Sequence, residues 1–186
     1  MLIPLRLSAQ TDEQLMQRAA RGNDRAFEEL YNRHARRLQG FFVRRLGGDS
    51  ELAADFMHDT FLRLYDARER YREGQGFRAW MYTIAYNLCK NHMRNKLTFL
   101  PETQDDVAAD ADIEVEIDAA LLHDALGRVL RQMPEAYAML FSLHYEEELT
   151  IPQIAQITSL PEGTVKSRLH KTMNLIKQQL KEYARR

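Results

Sequence analysis

Lys166, Ser167, His170, Lys171 and Asn174 are cations and hydrogen-bonding side chains that recur at steps of three and four or stand side by side. On a helix that spacing gathers them on one side, where such groups can meet the base edges and phosphates of a DNA groove. The other side of the same stretch carries Val165, Leu169, Met173, Ile176 and Leu180, a continuous core stripe. A second set lies in FRAWMYTIAYNLCKNHMRNK, residues 77–96. There Tyr82, Tyr86, Asn87, Lys90, Asn91 and Arg94 accompany an apolar face of Phe77, Trp80, Met81, Ile84, Ala85 and Leu88. Rings stack on bases, amides read base edges and cations follow phosphates, so this mixture suits a single strand better than a duplex, whose base faces are hidden. Residue types leave nucleic-acid contact and a plain half-solvated helix evenly matched for the polar set, and they place Trp80 in the core. A third set, Asp55, Asp59, Leu62 and Asp66, with His58 beside it, forms an acidic stripe holding one exposed leucine. Charge can steer a basic partner helix to such a stripe and the leucine can anchor it. On residue types alone, a solvated face is the simpler reading of this third set.

Nothing in the chain points to covalent chemistry. The six histidines are scattered, and Cys89 and His92 stand one turn apart without the further ligands that a metal site needs. No phosphate-cradling glycine loop, nucleophile elbow or metalloprotease motif occurs. No catalytic residue, metal, cofactor or small-molecule substrate is therefore expected. The single cysteine excludes an intramolecular disulfide. No apolar run approaches a membrane span, and the opening MLIPLR is broken by Pro4 and lacks a signal-peptide core, so a cytoplasmic protein is expected.

The elements that must position these sets are helical. Residues 11–46 read as two helices parted by Gly22-Asn23-Asp24, with Thr11 and Gln14 spaced as a capping box. Gly47-Gly48-Asp49-Ser50 breaks the pattern and offers a cap for a third helix, from Glu51 to about Ala67. Arg72-Glu73-Gly74-Gln75-Gly76 forms a loop, and a fourth helix fills Phe77–Lys96. Near the other end, Thr150 and Gln153 repeat the capping-box spacing, and Leu160-Pro161-Glu162-Gly163 restarts a helix after a short turn. A short helix, a turn and a second helix with a basic polar N-terminal half make a helix-turn-helix, against the alternative of an ordinary helical hairpin. The expectation is an all-α chain of two helical domains, residues 1–97 and 113–186, joined by an acidic flexible linker over residues 98–112.

Net charge is −1, but its distribution is uneven. Arg63–Lys96 holds eight basic residues against three acids, and Lys166–Arg186 seven against one. Between them, Thr98–Leu122 carries eight acids and no basic residue. That alternation suggests two nucleic-acid surfaces separated by an acidic tether.

Taken together, these blocks resemble the extracytoplasmic-function (ECF) group of bacterial RNA polymerase sigma factors, from about Thr11 to Leu180. DFMHDTFLRLYDAR resembles region 2.2, FRAWMYTIAYNLCKNHMRNK regions 2.3 and 2.4, and LTIPQIAQITSLPEGTVKSRLHK region 4.2. The resemblance implies a subunit that binds core RNA polymerase and directs promoter-specific initiation. It implies docking of Asp55, Asp59, Leu62 and Arg63 on the beta-prime coiled coil, contact with the beta flap, and an anti-sigma factor as a further partner. It assigns the melted -10 strand to Tyr82, Tyr86, Asn87, Lys90, Asn91 and Arg94, with the loop before Phe77 near a captured base. It assigns the duplex -35 element of promoter DNA to Thr164, Lys166, Ser167, Arg168, His170 and Lys171. It also implies that the acidic tether threads channels that otherwise carry template and RNA. Two departures stand out. Ile157-Thr158-Ser159 lacks the glycine that many relatives place in the turn, so a slightly different turn geometry is expected. His170-Lys171 fills a pair that is often aromatic or arginine, and lysine is weaker than arginine in bidentate guanine reading. The alternatives are a dimeric helix-turn-helix regulator that does not replace sigma, and a helical adaptor that binds only protein.

Overall fold

The computed structural model describes residues 7–72, 74, 76–96 and 119–184, and every regular element among them is helical. The expected acidic linker, residues 98–112, lies outside the described residues. The helices belong to two compact units, the first over Asp12–Lys96 and the second over most of Ala119–Ala184.

In the N-terminal unit, α1 spans Asp12–Ala20, α2 Asp24–Arg45, α3 Ser50–Asp66 and α4 Phe77–Lys96. The starts are set by side chains that accept otherwise orphaned N–H groups. Thr11 Oγ1 accepts from Gln14 N at 3.3 Å while Thr11 N donates back to Gln14 Oε1 at 3.1 Å, the capping box anticipated from sequence. Asn23 Oδ1 accepts from Ala26 N at 3.2 Å, and Asp49 Oδ1 from Leu52 N at 3.0 Å. Inside, Leu15, Leu30, Leu38, Phe41, Phe42, Leu64 and Phe77 are fully buried. Each such side chain contributes roughly 1.5–3 kcal/mol of transfer free energy. Phe41 meets Phe42 and Tyr82 edge-on at 5.5 and 5.4 Å, and Phe42 meets Phe56 at 5.5 Å, geometry that ring quadrupoles favour.

One polar cluster ties the chain start to this bundle. Arg33 on α2 donates to the carbonyls of Leu7, Ser8 and Gln10, to Asp12 Oδ1 at 3.1 Å and to Glu29 Oε1 at 2.9 Å. His34 Nε2 lies 2.7 Å from Asp12 Oδ2. Burial pushes the Asp12 carboxyl upward, but its bonds to His34 and Arg33 outweigh that and hold it below the usual carboxylate value.

In the C-terminal unit, α5 spans Ala119–Gln132, α6 Glu135–Phe141, α7 Ile151–Thr158 and α8 Glu162–Ala184. Pro134 starts α6, as its missing N–H and fixed φ allow. Val129, Leu130, Phe141 and Ile176 form a core, with Leu126, Met133, Met173 and Leu180 packed around it. A wide π-turn, Ser142–Glu146, follows α6, closed by Glu147 N to Ser142 O at 2.9 Å. Thr150 caps α7 through the capping box with Gln153. The turn to α8 does not depart from the ordinary geometry: Ser159 takes φ 57 and ψ 31, the left-handed state usually given to glycine, and its N–H returns to Ala155 O.

Candidate nucleic-acid and protein interfaces

The N-terminal turns of α8 present their polar residues outward because Val165 and Leu169 are drawn into the core. Lys166, Ser167 and His170 are exposed. Ser167 Oγ donates to Thr164 O at 3.1 Å, and Asn174 Nδ2 lies 3.4 Å from His170 Nδ1, which orients that imidazole along the helix. Thr164, Arg168 and Lys171 are half-buried flanks of the stripe. Lys171 Nζ sits 5.8 Å above the Tyr137 ring, within cation–π range. Thr172, which the core stripe omitted, is fully buried and returns its hydroxyl to Arg168 O at 2.8 Å. The exposed centre is thus a cation, a hydroxyl and an imidazole, flanked by two more cations.

On α4 the buried face is rotated from the one the sequence suggests. Phe77, Met81, Tyr82, Ala85, Leu88 and Cys89 are buried, whereas Trp80 and Ile84 are only half-covered. Tyr82 is therefore a core residue, fully buried against Phe41, and leaves the strand-contacting set. Trp80 moves the other way: it is half-exposed, with its ring 5.6 Å from that of Tyr71. Trp80, Ile84, Asn87, Asn91 and Arg94 then follow one another at steps of four and three along one face. The face runs about 21 Å, at 1.5 Å rise per residue. Asn87, Lys90, Asn91 and Arg94 are exposed, and Lys90 Nζ stands 5.9 Å from the centre of the half-buried Tyr86 ring. Of the loop ahead of α4, Arg72 and Gly74 are exposed, while residues 73 and 75 lie outside the described set.

On α3, Ala53, Met57, Thr60, Phe61 and Leu64 turn inward, which leaves Asp55, Leu62 and Asp66 on the surface. Leu62 is 60% exposed, unusual for a large apolar side chain. Arg63 grips Asp59 through two parallel bonds, Nε to Oδ1 at 2.9 Å and Nη2 to Oδ2 at 3.0 Å. Beside them α2 and α3 form an apolar groove of about 540 Å³, lined by Phe27, Tyr31, His58, Asp59, Phe61, Leu62 and Tyr65. Tyr31 and His58 stack with rings 9° from parallel and share a 3.2 Å hydrogen bond. Tyr65 donates to Asp24 Oδ1 at 2.9 Å, a bond that raises its phenol above the ordinary value. The helical spacing of Phe27, Tyr31 and Tyr65 along the apolar stripes of α2 and α3 predicts that they lie inside. Their position at the margins of those stripes, next to the acidic one, is the signal for a groove.

Comparisons with known proteins bear on both units. Residues 30–97 match the family model described as Sigma-70 region 2, and residues 123–176 the one described as Sigma-70, region 4. The RNA polymerase sigma-H factor of Pseudomonas aeruginosa is 30% identical, over 96% of this chain and 98% of that protein. The ECF RNA polymerase sigma factor SigW of Bacillus subtilis is 25% identical, over 87% and 92%. Among solved structures, CnrH in complex with the cytosolic domain of CnrY has the same fold, with a TM-score of 0.70 at 23% identity over 92% of this chain and 97% of that one. So does the sigma factor RpoE in complex with the anti-sigma factor NepR from Bartonella quintana, with a TM-score of 0.64 at 19% identity over 83% and 96%.

Proposed function

The chain belongs to the extracytoplasmic-function group of RNA polymerase sigma factors, and from that premise we propose how its surfaces divide the work of promoter recognition. The groove between α2 and α3, with Asp55, Asp59, Leu62 and Arg63 at its edge, docks the beta-prime coiled coil of core polymerase. A coiled-coil helix would seat an apolar side chain against Leu62 and the groove aromatics, while the acids steer its basic face. The outward face of α4 holds the opened -10 strand: Trp80 and Tyr86 offer rings, Asn87 and Asn91 read base edges, and Lys90 and Arg94 follow phosphates. The α8 stripe enters the major groove of the -35 duplex, where Ser167 and His170 face bases and Lys166, Arg168 and Lys171 flank them at the phosphates. The C-terminal unit also meets the beta flap.

One observation carries this division. Each unit exposes a different polar face: aromatic, amide and cationic on α4, and hydroxyl, imidazole and cationic on α8. A duplex reader alone has no use for the first. No group in this scheme makes or breaks a covalent bond of a substrate. Both solved neighbours were captured with a bound protein, which supports an inhibitory anti-sigma partner that covers these faces in the cytoplasm. The testing experiment is run-off transcription with core polymerase on a library of genomic fragments. Discrete start sites that require both the protein and core enzyme are expected. Tight duplex binding without core enzyme, and no discrete start, would instead support a free-standing regulator.

A further inference from the structure

Gly76, the residue ahead of helix α4, offers no side chain as a cap. Its carbonyl accepts from Trp80 N at 3.1 Å, but no side chain is there to receive the first helical N–H groups. An acceptor comes from a helix distant in sequence: Phe77 N–H donates to Glu13 Oε1, on the first turn of α1, at 3.3 Å. A carboxylate there also complements the positive end of the helix dipole. Helix α1 holds the Phe77 side chain as well, indirectly. The buried Phe77 ring lies 5.3 Å from that of His34, which is bonded to Asp12. On the other side of the 72–76 connection, Tyr71 is buried with its ring beside Trp80. Its phenol is pushed up to about 12, first by burial and then by the charges of Glu13 and Asp12. Asp12 and Glu13 thus flank both anchor points of the connection, Tyr71 and Phe77, and both acids lie outside residues 30–97.

We propose that Glu13 is a positioning residue for strand reading: by capping α4 at Phe77 it fixes the start of the helix whose next turns carry Trp80, Ile84 and Asn87. It touches no nucleic acid itself. A helix held at its first turn cannot slide or rotate, so the amides and rings of its outward face keep one register against the bases. The inference rests on the assignment of that face to the opened -10 strand.

The test measures discrimination rather than amount bound. Holoenzyme carrying each variant is titrated with a labelled single strand of the -10 sequence from a mapped promoter, and with the same strand changed at one base at a time. Glu13→Ala is expected to lower the ratio of affinities by about tenfold, the counterpart of removing one charge-assisted hydrogen bond. Glu13→Gln, whose amide oxygen still accepts from Phe77 N, stays within about twofold of the parent. Asn87→Ala, run in parallel, also loses discrimination. If Glu13→Ala discriminates like the parent while Asn87→Ala does not, the positioning role is overturned and the α4 reading stands. If neither variant changes the ratio, the α4 reading itself falls. A loss of bound strand at constant ratio also overturns positioning, since a merely structural defect lowers only the active fraction. Should Glu13→Ala not fold by circular dichroism, Glu13→Asp replaces it: the shorter side chain withdraws the acceptor, and discrimination equal to that of Glu13→Gln refutes the proposal.

Discussion

At the scale of single residues, Ser159 shows how an absent glycine is absorbed. The turn between α7 and α8 needs a left-handed residue, and Ser159 supplies it at φ 57 rather than reshaping the turn. That conformation costs an L-residue roughly 1–2 kcal/mol, and glycine avoids it at the expense of a more disordered unfolded chain. Ser159→Gly is therefore expected to stabilise the C-terminal unit by about 0.5–1 kcal/mol. Slower amide hydrogen exchange across α7 and α8 in the full chain would register the gain; unchanged or faster exchange would contradict it. His170 and Lys171, neighbours in the proposed -35 stripe, also differ from each other in the structure. His170 is exposed and held by Asn174, whereas Lys171 is half-buried over Tyr137.

At the scale of elements, α4 marks where sequence reading stops. Its bounds, Phe77–Lys96, follow from the loop before it and the length of the pattern. Its rotation does not, because the stretch holds enough apolar and aromatic residues to support more than one buried stripe. The phase is chosen by what the helix meets: Phe41 receives the Tyr82 ring edge-on, and Tyr71 supports Trp80 at the surface. The same limit explains the groove. Helical spacing shows that Phe27, Tyr31 and Tyr65 lie toward a neighbour, but not that the neighbouring helix leaves them half-covered. The caps were legible because each is local, with partners three residues apart, whereas the Glu13 cap joins residues 64 apart and leaves no local trace. Replacing Tyr82 by Ala should cost about 3–5 kcal/mol of stability, as for other large buried rings. Replacing the half-buried Tyr86 by Ala should cost under about 1 kcal/mol. Trp80 is the only tryptophan, so its fluorescence during denaturant unfolding reports on this unit directly. Equal losses for the two variants would restore Tyr82 to the surface.

At the scale of the whole molecule, the proposed division of labour predicts that the two polar faces answer salt differently. On that reading Lys166 offers a charge to the duplex, and each phosphate left without its cation flattens the log–log salt dependence of binding by about 0.9. Lys166→Ala in holoenzyme is expected to flatten the slope of the promoter complex by that amount while leaving the start site in place. Asn87→Ala should leave the slope alone and change which -10 bases are preferred. Titrating both variants over a range of potassium chloride separates the two contributions; a slope change in Asn87→Ala would count against the division of labour between α4 and α8. On the proposed docking of the α2–α3 groove to core polymerase, the Asp59–Arg63 fork bears on how the two would meet and part. An incoming basic side chain would find Asp59 already forked by Arg63, and would either share the carboxylate or displace Arg63 to solvent or to an acid on the partner. A displacement would conserve the number of ion pairs, so on this proposal most of the grip would fall to Leu62 and the aromatic groove. On that proposal, apolar contact rather than charge would set how readily the docked protein leaves.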